Sequence, residues 1–89
     1  MNLAGRPVQR SGDAPAPGAM PAAVSLGRPL RGVYVQAQGG SIDVSWNGSD
    51  WFTIAPGAPQ HFGVTEPKLF VRATTGAGAV RYSVLGILV

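Results

Sequence analysis

A hairpin signal at residues 41–54 constrains the fold of this chain more than any other feature. Apolar and polar side chains alternate through Ile42–Trp46, which is the period of a half-buried strand. Asn47 and Gly48 follow, and residues of these two types tolerate the positive φ angles of a tight hairpin turn. Trp51–Ile54 is rich in aromatic and β-branched side chains, which favour strands. The stretch therefore predicts two paired strands at the centre of a small β core.

Further strands are predicted on both sides of this hairpin. The turn-like dipeptide Gly39-Gly40 predicts another hairpin before it, and Gly- and Pro-rich turns separate the segments after it. The predicted strands are residues 33–38, 41–46, 51–54, 60–64, 68–74 and 79–89. No stretch has the apolar period of a helix. We therefore expect an all-β fold, a small antiparallel β-sandwich or barrel of about six short strands with an extended N-terminal arm.

The arm is predicted from composition. Five of the eight prolines fall in residues 1–30, and proline is excluded from helix interiors and from central strands. The run Ala14-Pro15-Ala16-Pro17 favours extended polyproline II structure. We therefore divide the chain into an arm, residues 1–30, and a β-sandwich core, residues 31–89. The arm is expected to be disordered in the free protein, although its run Ala22–Leu26 could add as a strand to its own sheet or to a neighbour's. The core is expected to stay folded without the arm.

The formal charge of the chain lies in its N-terminal third. Residues 1–31 contain four arginines against one aspartate, whereas residues 32–89 contain three basic and three acidic residues. A basic arm on a neutral core indicates an arm that seeks an acidic surface or nucleic acid. Scattered arginines that only keep an apolar arm soluble would give the same pattern, and the sequence leaves both interpretations open.

The residues that could support catalysis or bind a metal form no recognised site. The chain has no cysteine and one histidine, His61, which excludes thiolate chemistry and the usual multi-histidine metal sites. No nucleophile motif accompanies this histidine. Asp43-x-Ser45-x-Asn47 resembles the start of a calcium loop, but the position that needs a bidentate glutamate is Ile54. We therefore predict a protein that is not an enzyme and uses no metal or other cofactor.

The predicted core is small enough to need support from a neighbouring subunit. A core of about 58 residues without disulfides is marginally stable by itself. The C-terminal run is apolar on both faces, and it is far shorter than the roughly 20 residues that span a bilayer. We predict a homo-oligomer, with a trimer as the working expectation, and no membrane partner. The predicted oligomer contacts are Ile87, Leu88 and Val89.

The strand-and-turn pattern resembles a known class of proteins. Val44–Gly57, Leu69–Ala73 and Tyr82–Leu85 are similar to segments of small β-sandwich proteins from the structural gene sets of tailed bacteriophages. Proteins of that class decorate or cement capsids, or are other minor virion components. The resemblance covers about residues 32–89, excludes the arm and carries over no catalytic or binding residue. It implies a structural virion protein, made in the host cytoplasm and located on the capsid surface.

The arm and the resemblance together predict how such a protein would act. A capsid decoration or cement protein would bind the major capsid protein lattice, or other virion proteins, through its arm and its oligomer contacts. The ordering entropy of the arm would be offset by a long contact across neighbouring subunits. The predicted contact residues of the arm are Leu3, Arg6, Arg10, Val24, Leu26 and Arg28.

Two alternatives remain open at this point. The first is an OB-like module for single-stranded nucleic acid, because aromatic residues near basic ones could stack bases. Those aromatic residues are Tyr34, Trp46, Trp51, Phe52, Phe70 and Tyr82. The neutral charge of the core argues against nucleic acid, since such binders need a positive groove. The second alternative is another minor virion component of the tail, the neck or the receptor-binding apparatus.

Overall fold

The computed structural model describes residues 7–75 and 78–88, and these residues form eight strands and no helix. The strands are β1 (Pro7–Asp13), β2 (Ala22–Ser25), β3 (Leu30–Gln38), β4 (Ile42–Ser45), β5 (Phe52–Ile54), β6 (Gln60–Phe62), β7 (Lys68–Ala73) and β8 (Arg81–Leu88). Every pairing between them is antiparallel. The predicted all-β, antiparallel class is confirmed. The strand count exceeds the predicted six because β1 and β2 lie in the segment that was expected to be an arm.

The strands form two four-stranded sheets. Sheet A has the order β1-β8-β3-β6, and sheet B has the order β2-β7-β4-β5. The chain alternates between the sheets at every connection except the β4–β5 hairpin. This order is that of a jelly roll, in which two Greek keys wind around each other. The predicted pairing of the two hairpin strands is confirmed, but residues 46–51 connect them in place of a tight turn, and of Asn47 and Gly48 only Gly48 has a positive φ. Gly39-Gly40 carries the chain from sheet A to sheet B instead of joining two paired strands.

The facing sides of the two sheets enclose one apolar core. Inward side chains alternate with outward ones along each strand, so Val33 and Val35 of sheet A face Val44 and Val71 of sheet B. Gly86 of β8 also lies on the inner side, opposite Val33. The buried apolar residues are Val24, Leu26, Leu30, Val33, Val35, Ala37, Ile42, Val44, Ile54, Leu69, Val71, Ala73, Val80, Val84 and Leu88.

The described part of the predicted arm belongs to both sheets. β1 pairs with β8 along its whole length, and β2 pairs with β7 along its whole length. The backbone N–H of Ala14 donates to the carbonyl of Val80 at 2.8 Å, and that of Leu26 donates to the carbonyl of Pro67 at 2.8 Å. The predicted separation of arm and core is therefore corrected: residues 7–30 are part of the sandwich.

The prolines are compatible with these strands because of where they fall. Pro7 is the first residue of β1, a position and an edge strand that both tolerate a missing N–H. The other four prolines of this segment lie in the connections that precede and follow β2. The high proline content thus marks the turns and the edges of the sheets, not a chain that lacks strands.

Candidate interaction surfaces

The outward side of sheet A is a broad surface whose centre carries no formal charge. Its residues alternate with the core residues of the same strands and therefore point away from sheet B. We call this surface face A and define it by Gln9 and Ser11 of β1, Tyr34 and Gln36 of β3, His61 of β6, and Ser83, Leu85 and Ile87 of β8. An ion pair between Arg81 and Asp13, at 2.9 Å, lies at one end of it.

A shallow groove of about 310 Å³ crosses face A between Gln9 and Pro59. Tyr34 stands beside the groove with 41% of its surface exposed. Its ring packs against the ring of His61, with 4.8 Å between the centroids. Leu85, half-buried, forms part of the groove wall. Aromatic and neutral side chains without central charges are typical of the core of a protein–protein interface.

The residues predicted to contact a neighbouring subunit do not share one side of the sheet, because successive side chains of β8 point in opposite directions. Ile87 points outward and is half-buried in face A, so it stays a candidate contact. Leu88 points inward and is only 6% exposed, because it closes the core of its own chain, and its predicted contact role is corrected accordingly. Val89, together with the predicted arm contacts Leu3 and Arg6, lies outside the described residues.

The other predicted arm contacts divide in the same way. Val24 and Leu26 are 4% and 3% exposed and pack into the core of their own chain. They are therefore not offered to a partner, which corrects the prediction for both residues. Arg10 and Arg28 are exposed, the first on β1 and the second in the connection between β2 and β3. Of the predicted arm contacts that the structure describes, these two have exposed side chains, as the prediction required.

The outward side of sheet B holds a buried carboxylate. Asp43 is 8% exposed and accepts hydrogen bonds from the Oγ1 atoms of Thr53 and Thr74, each at 2.8 Å. The Nε atom of Arg72 donates to its other oxygen at 3.3 Å. The guanidinium of Arg72 also stacks on the ring of Trp51, with 3.8 Å to the centroid. The carboxylate is thus held by neighbouring strands, and this arrangement does not resemble the start of a calcium loop.

These hydrogen bonds outweigh burial in setting the pKa of Asp43. Burial raises the pKa, but the hydrogen bonds from Thr74, Thr53 and Arg72, and the charge of Arg72, lower it to below the usual value for an aspartate. A lowered pKa in the folded state means that the ionised carboxylate stabilises the fold above the unfolded-state pKa of about 4. This contribution is lost as the pH falls through the folded-state pKa.

We expect Asp43→Asn to lower the free energy of unfolding at pH 7 by about 1–3 kcal/mol, because an amide cannot accept all three hydrogen bonds as a carboxylate does. The difference from the unchanged protein should shrink between pH 7 and about pH 2, because the stabilisation by the ionised carboxylate is lost progressively as the pH falls from the unfolded-state pKa through the lowered folded-state pKa. Urea unfolding at the two pH values measures it. Asp13→Asn, which removes an exposed ion pair, is the control and should change stability by less than about 1 kcal/mol. An Asp43→Asn deficit of equal size at both pH values would contradict this account.

An aromatic cluster fills the seam between the edge strands β5 and β6. Trp46 packs against Phe62, with 5.0 Å between the centroids, and against Phe52, with 6.2 Å. Phe52 is 52% exposed. The buried Nε1 atom of Trp46 has no hydrogen-bond partner among the described residues. The contact of Phe62 with Trp46 and Phe52 could not be predicted from the alternation of apolar and polar residues, because it joins the two sheets.

The aromatic residues that were predicted to stack bases do not form one platform. Tyr34 lies on face A, whereas Trp46 and Phe52 lie in the seam between the sheets. On sheet B, Arg72 lies over Trp51 and the Nζ atom of Lys68 lies 5.5 Å from the ring of Phe70. The rings of Trp51 and Phe70 are thus each already in contact with a cationic side chain of the same chain.

Neither side-chain chemistry nor similarity assigns an activity. Within residues 7–75 and 78–88, no group of three or more histidine, cysteine, aspartate or glutamate side chains could hold a metal ion. His61 packs on Tyr34 in face A. The described part of the chain contains no helix that could span a membrane. The sequence matches no protein-family model and no curated protein.

Proposed function

We propose that this chain is a structural virion protein, specifically a capsid decoration or cement protein that docks on the major capsid protein lattice and stabilises the head. The observation that carries the proposal is face A, a broad surface with an uncharged centre on a small sandwich. The resemblance of the strand pattern to virion proteins of tailed bacteriophages supports the class. The jelly-roll strand order also occurs in viral capsid proteins, which supports the proposal by analogy of fold alone.

The size of face A explains why attachment would need many copies. Four strands about 4.8 Å apart and eight residues of β8 at about 3.3 Å each give roughly 500 Å². Two such surfaces bury about 1,000 Å² in total, which is the lower limit for a specific interface. A single copy would therefore bind weakly. A homo-oligomer on a repeating lattice would gain affinity from several simultaneous contacts.

The integration of residues 7–30 into the sandwich changes the proposed means of bridging. A separate arm of 30 residues would have crossed several neighbouring subunits, but residues 7–13 and 22–25 are paired within their own sheets. Bridging is therefore proposed to rest on face A and on contacts between copies of the chain. Ile87, near one end of face A, is the proposed oligomer contact, because its side chain points outward and is only half-buried in its own chain.

A matched pair of serine variants tests the role of face A. Ser83 lies on the outward side of β8 in face A, and Ser25 lies on the outward side of β2 in sheet B. We expect Ser83→Glu to weaken binding to heads by about tenfold or more, because docking would bury an unpaired charge. Ser25→Glu should bind like the unchanged protein. Co-sedimentation with heads assembled from the major capsid protein of the same gene set measures both.

The controls and the alternatives are built into the same assay. Both variants should keep the urea midpoint of the unchanged protein, since both side chains point away from the core. Equal binding by the two variants would show that face A is not the docking surface. If the unchanged protein does not bind heads but binds tails or necks, it is another minor virion component. If it binds an oligothymidine with steep salt dependence, the nucleic-acid alternative replaces the proposal.

A further inference from the structure

Among the described strands, β1 has the longest outer edge that no other strand pairs. Sheet A ends at β1 and β6, and sheet B ends at β2 and β5. β1 has seven residues, whereas β2 has four and the other two have three each. An unpaired edge presents backbone N–H and C=O groups to which another strand can add. Among the described strands, β1 therefore offers the longest row of such groups.

The register shows which backbone groups of β1 face outward. The N–H of Ala14 donates to the carbonyl of Val80, so the even-numbered residues of this strand direct their backbone groups towards β8. In an antiparallel pair the intervening residues direct theirs the other way. Gln9, Ser11 and Asp13 therefore present three N–H donors and three carbonyl acceptors to the free edge.

Arg10 places a positive charge in the middle of this edge. Its side chain is exposed, and its Nη1 atom donates to the carbonyl of Gln9 at 3.0 Å, which is one of the outward acceptors. No described carboxylate lies within ion-pair distance of this guanidinium. Asp13, on the same edge, is already paired with Arg81 at 2.9 Å. Within the described residues, the edge thus combines backbone groups that no strand pairs with one arginine that has no acidic partner.

We propose that the β1 edge binds an extended acidic segment of a partner protein by strand addition, with a carboxylate of that segment on Arg10. A carboxylate matches the forked donors of a guanidinium better than a single backbone carbonyl does. The arriving segment would draw Arg10 away from the carbonyl of Gln9, which would then accept a hydrogen bond from the added strand. The inference goes beyond the proposed function and does not depend on it.

A second copy of β1 is a poorer occupant of this edge. Pairing the middles of two antiparallel β1 strands places the two Arg10 residues opposite or nearly opposite each other. Like charges at such positions are destabilising, and neither guanidinium would gain a carboxylate. A segment with a central acidic residue has the complementary charge and the same backbone groups.

A strand tethered to the full-length chain tests the proposal. The tail Thr-Val-Thr-Asp-Thr-Val-Thr is joined to the C-terminus by about 12 Gly/Ser residues, whose root-mean-square span is about 19 Å. Ile87 pairs with Pro7, so β8 ends beside the start of the target edge. A tail with Lys in place of Asp is the matched control. Tethering raises the effective concentration to the millimolar range, where weak strand addition is detectable.

Amide hydrogen exchange of Gln9, Ser11 and Asp13, measured by NMR, reports on the edge directly. We expect exchange to slow by about tenfold or more with the acidic tail and to stay unchanged with the basic tail. Arg10→Glu should reverse this preference. Equal slowing with both tails would overturn acidic recognition, and no slowing with either would overturn strand addition. The assay uses no virion particle, so its failure is distinguishable from failure of the proposed function.

Discussion

Removal of residues 1–30 is expected to yield a chain that does not fold. The deletion removes β1 and β2 and exposes the edges of β8 and β7. It also removes Val24, Leu26 and Leu30 from the core, each of which is buried. At about 1.5–3 kcal/mol for each buried side chain, the loss is about 5–9 kcal/mol. The whole stability of a domain is typically about 5–15 kcal/mol, so the truncated chain should retain little or none.

Far-UV circular dichroism and tryptophan fluorescence during urea unfolding measure this result. The truncated chain should show no cooperative transition. Leu26→Ala in the full chain is the graded control, and it should unfold cooperatively with a loss of about 2–5 kcal/mol from the cavity it leaves. A truncated chain that unfolds at the urea concentration of the full chain would show that residues 1–30 are an independent arm.

Gly39→Ala is the point substitution for which we expect the largest loss of stability attributable to backbone contact. Gly39 has a φ of +82°, and a Cβ atom there would clash with the backbone carbonyl oxygen of Ala79. The positive φ costs an alanine about 1–2 kcal/mol, and moving the opposing backbone costs about 1–3 kcal/mol more. We therefore expect the free energy of unfolding to fall by about 2–5 kcal/mol.

Gly18→Ala separates the two contributions. Gly18 has a similar φ of +89°, but a Cβ atom there meets nothing within 4 Å. Gly18→Ala should lower the free energy of unfolding by only about 1–2 kcal/mol, which is the cost of the positive φ for an alanine. Urea unfolding of both variants under one set of conditions compares them. Equal losses would show that the contact between Gly39 and Ala79 does not constrain the connection between β3 and β4.

The β class and the β4–β5 hairpin could be predicted because their signals are local. Alternation up to Trp46 and the turn-forming pair Asn47-Gly48 indicate two strands and a connection between them without reference to the rest of the chain, although they indicated a shorter connection than the six residues observed. Gly39-Gly40 has an equally turn-like composition but connects two different sheets. Its role depends on β7, which pairs with β4 from about 30 residues further along the chain. Such long-range pairing leaves no mark in the local sequence.

Residues 7–30 were predicted as an arm, and not as part of the sandwich, for a related reason. Proline content indicates where a central strand cannot run, but β1 and β2 are edge strands with prolines at their start or in their connections. Leu26 is buried because Gly86 leaves room for it: a Cβ atom at Gly86 would lie 2.6 Å from a methyl carbon of Leu26. The complementarity of these two residues, sixty positions apart, appears only in the fold.

Face A could be anticipated only in part. The C-terminal run is apolar at successive positions, and this pattern indicated that some of its residues would be left without cover in a single chain. Which ones could not be predicted, because the register of β8 against β1 and β3 decides that Leu85 and Ile87 point outward while Leu88 points inward. A shift of one residue would exchange the two sets.

The central claim, that face A is the surface covered in the assembled particle, is tested most directly by hydroxyl-radical footprinting of the free and the head-bound protein. Tyr34, 41% exposed on face A, and Phe52, 52% exposed in the seam between β5 and β6, are two reactive aromatic side chains with similar exposure. Oxidation of each is quantified by mass spectrometry. The account predicts that head binding protects Tyr34 and leaves Phe52 reactive. Protection of Phe52 with Tyr34 unchanged would contradict it.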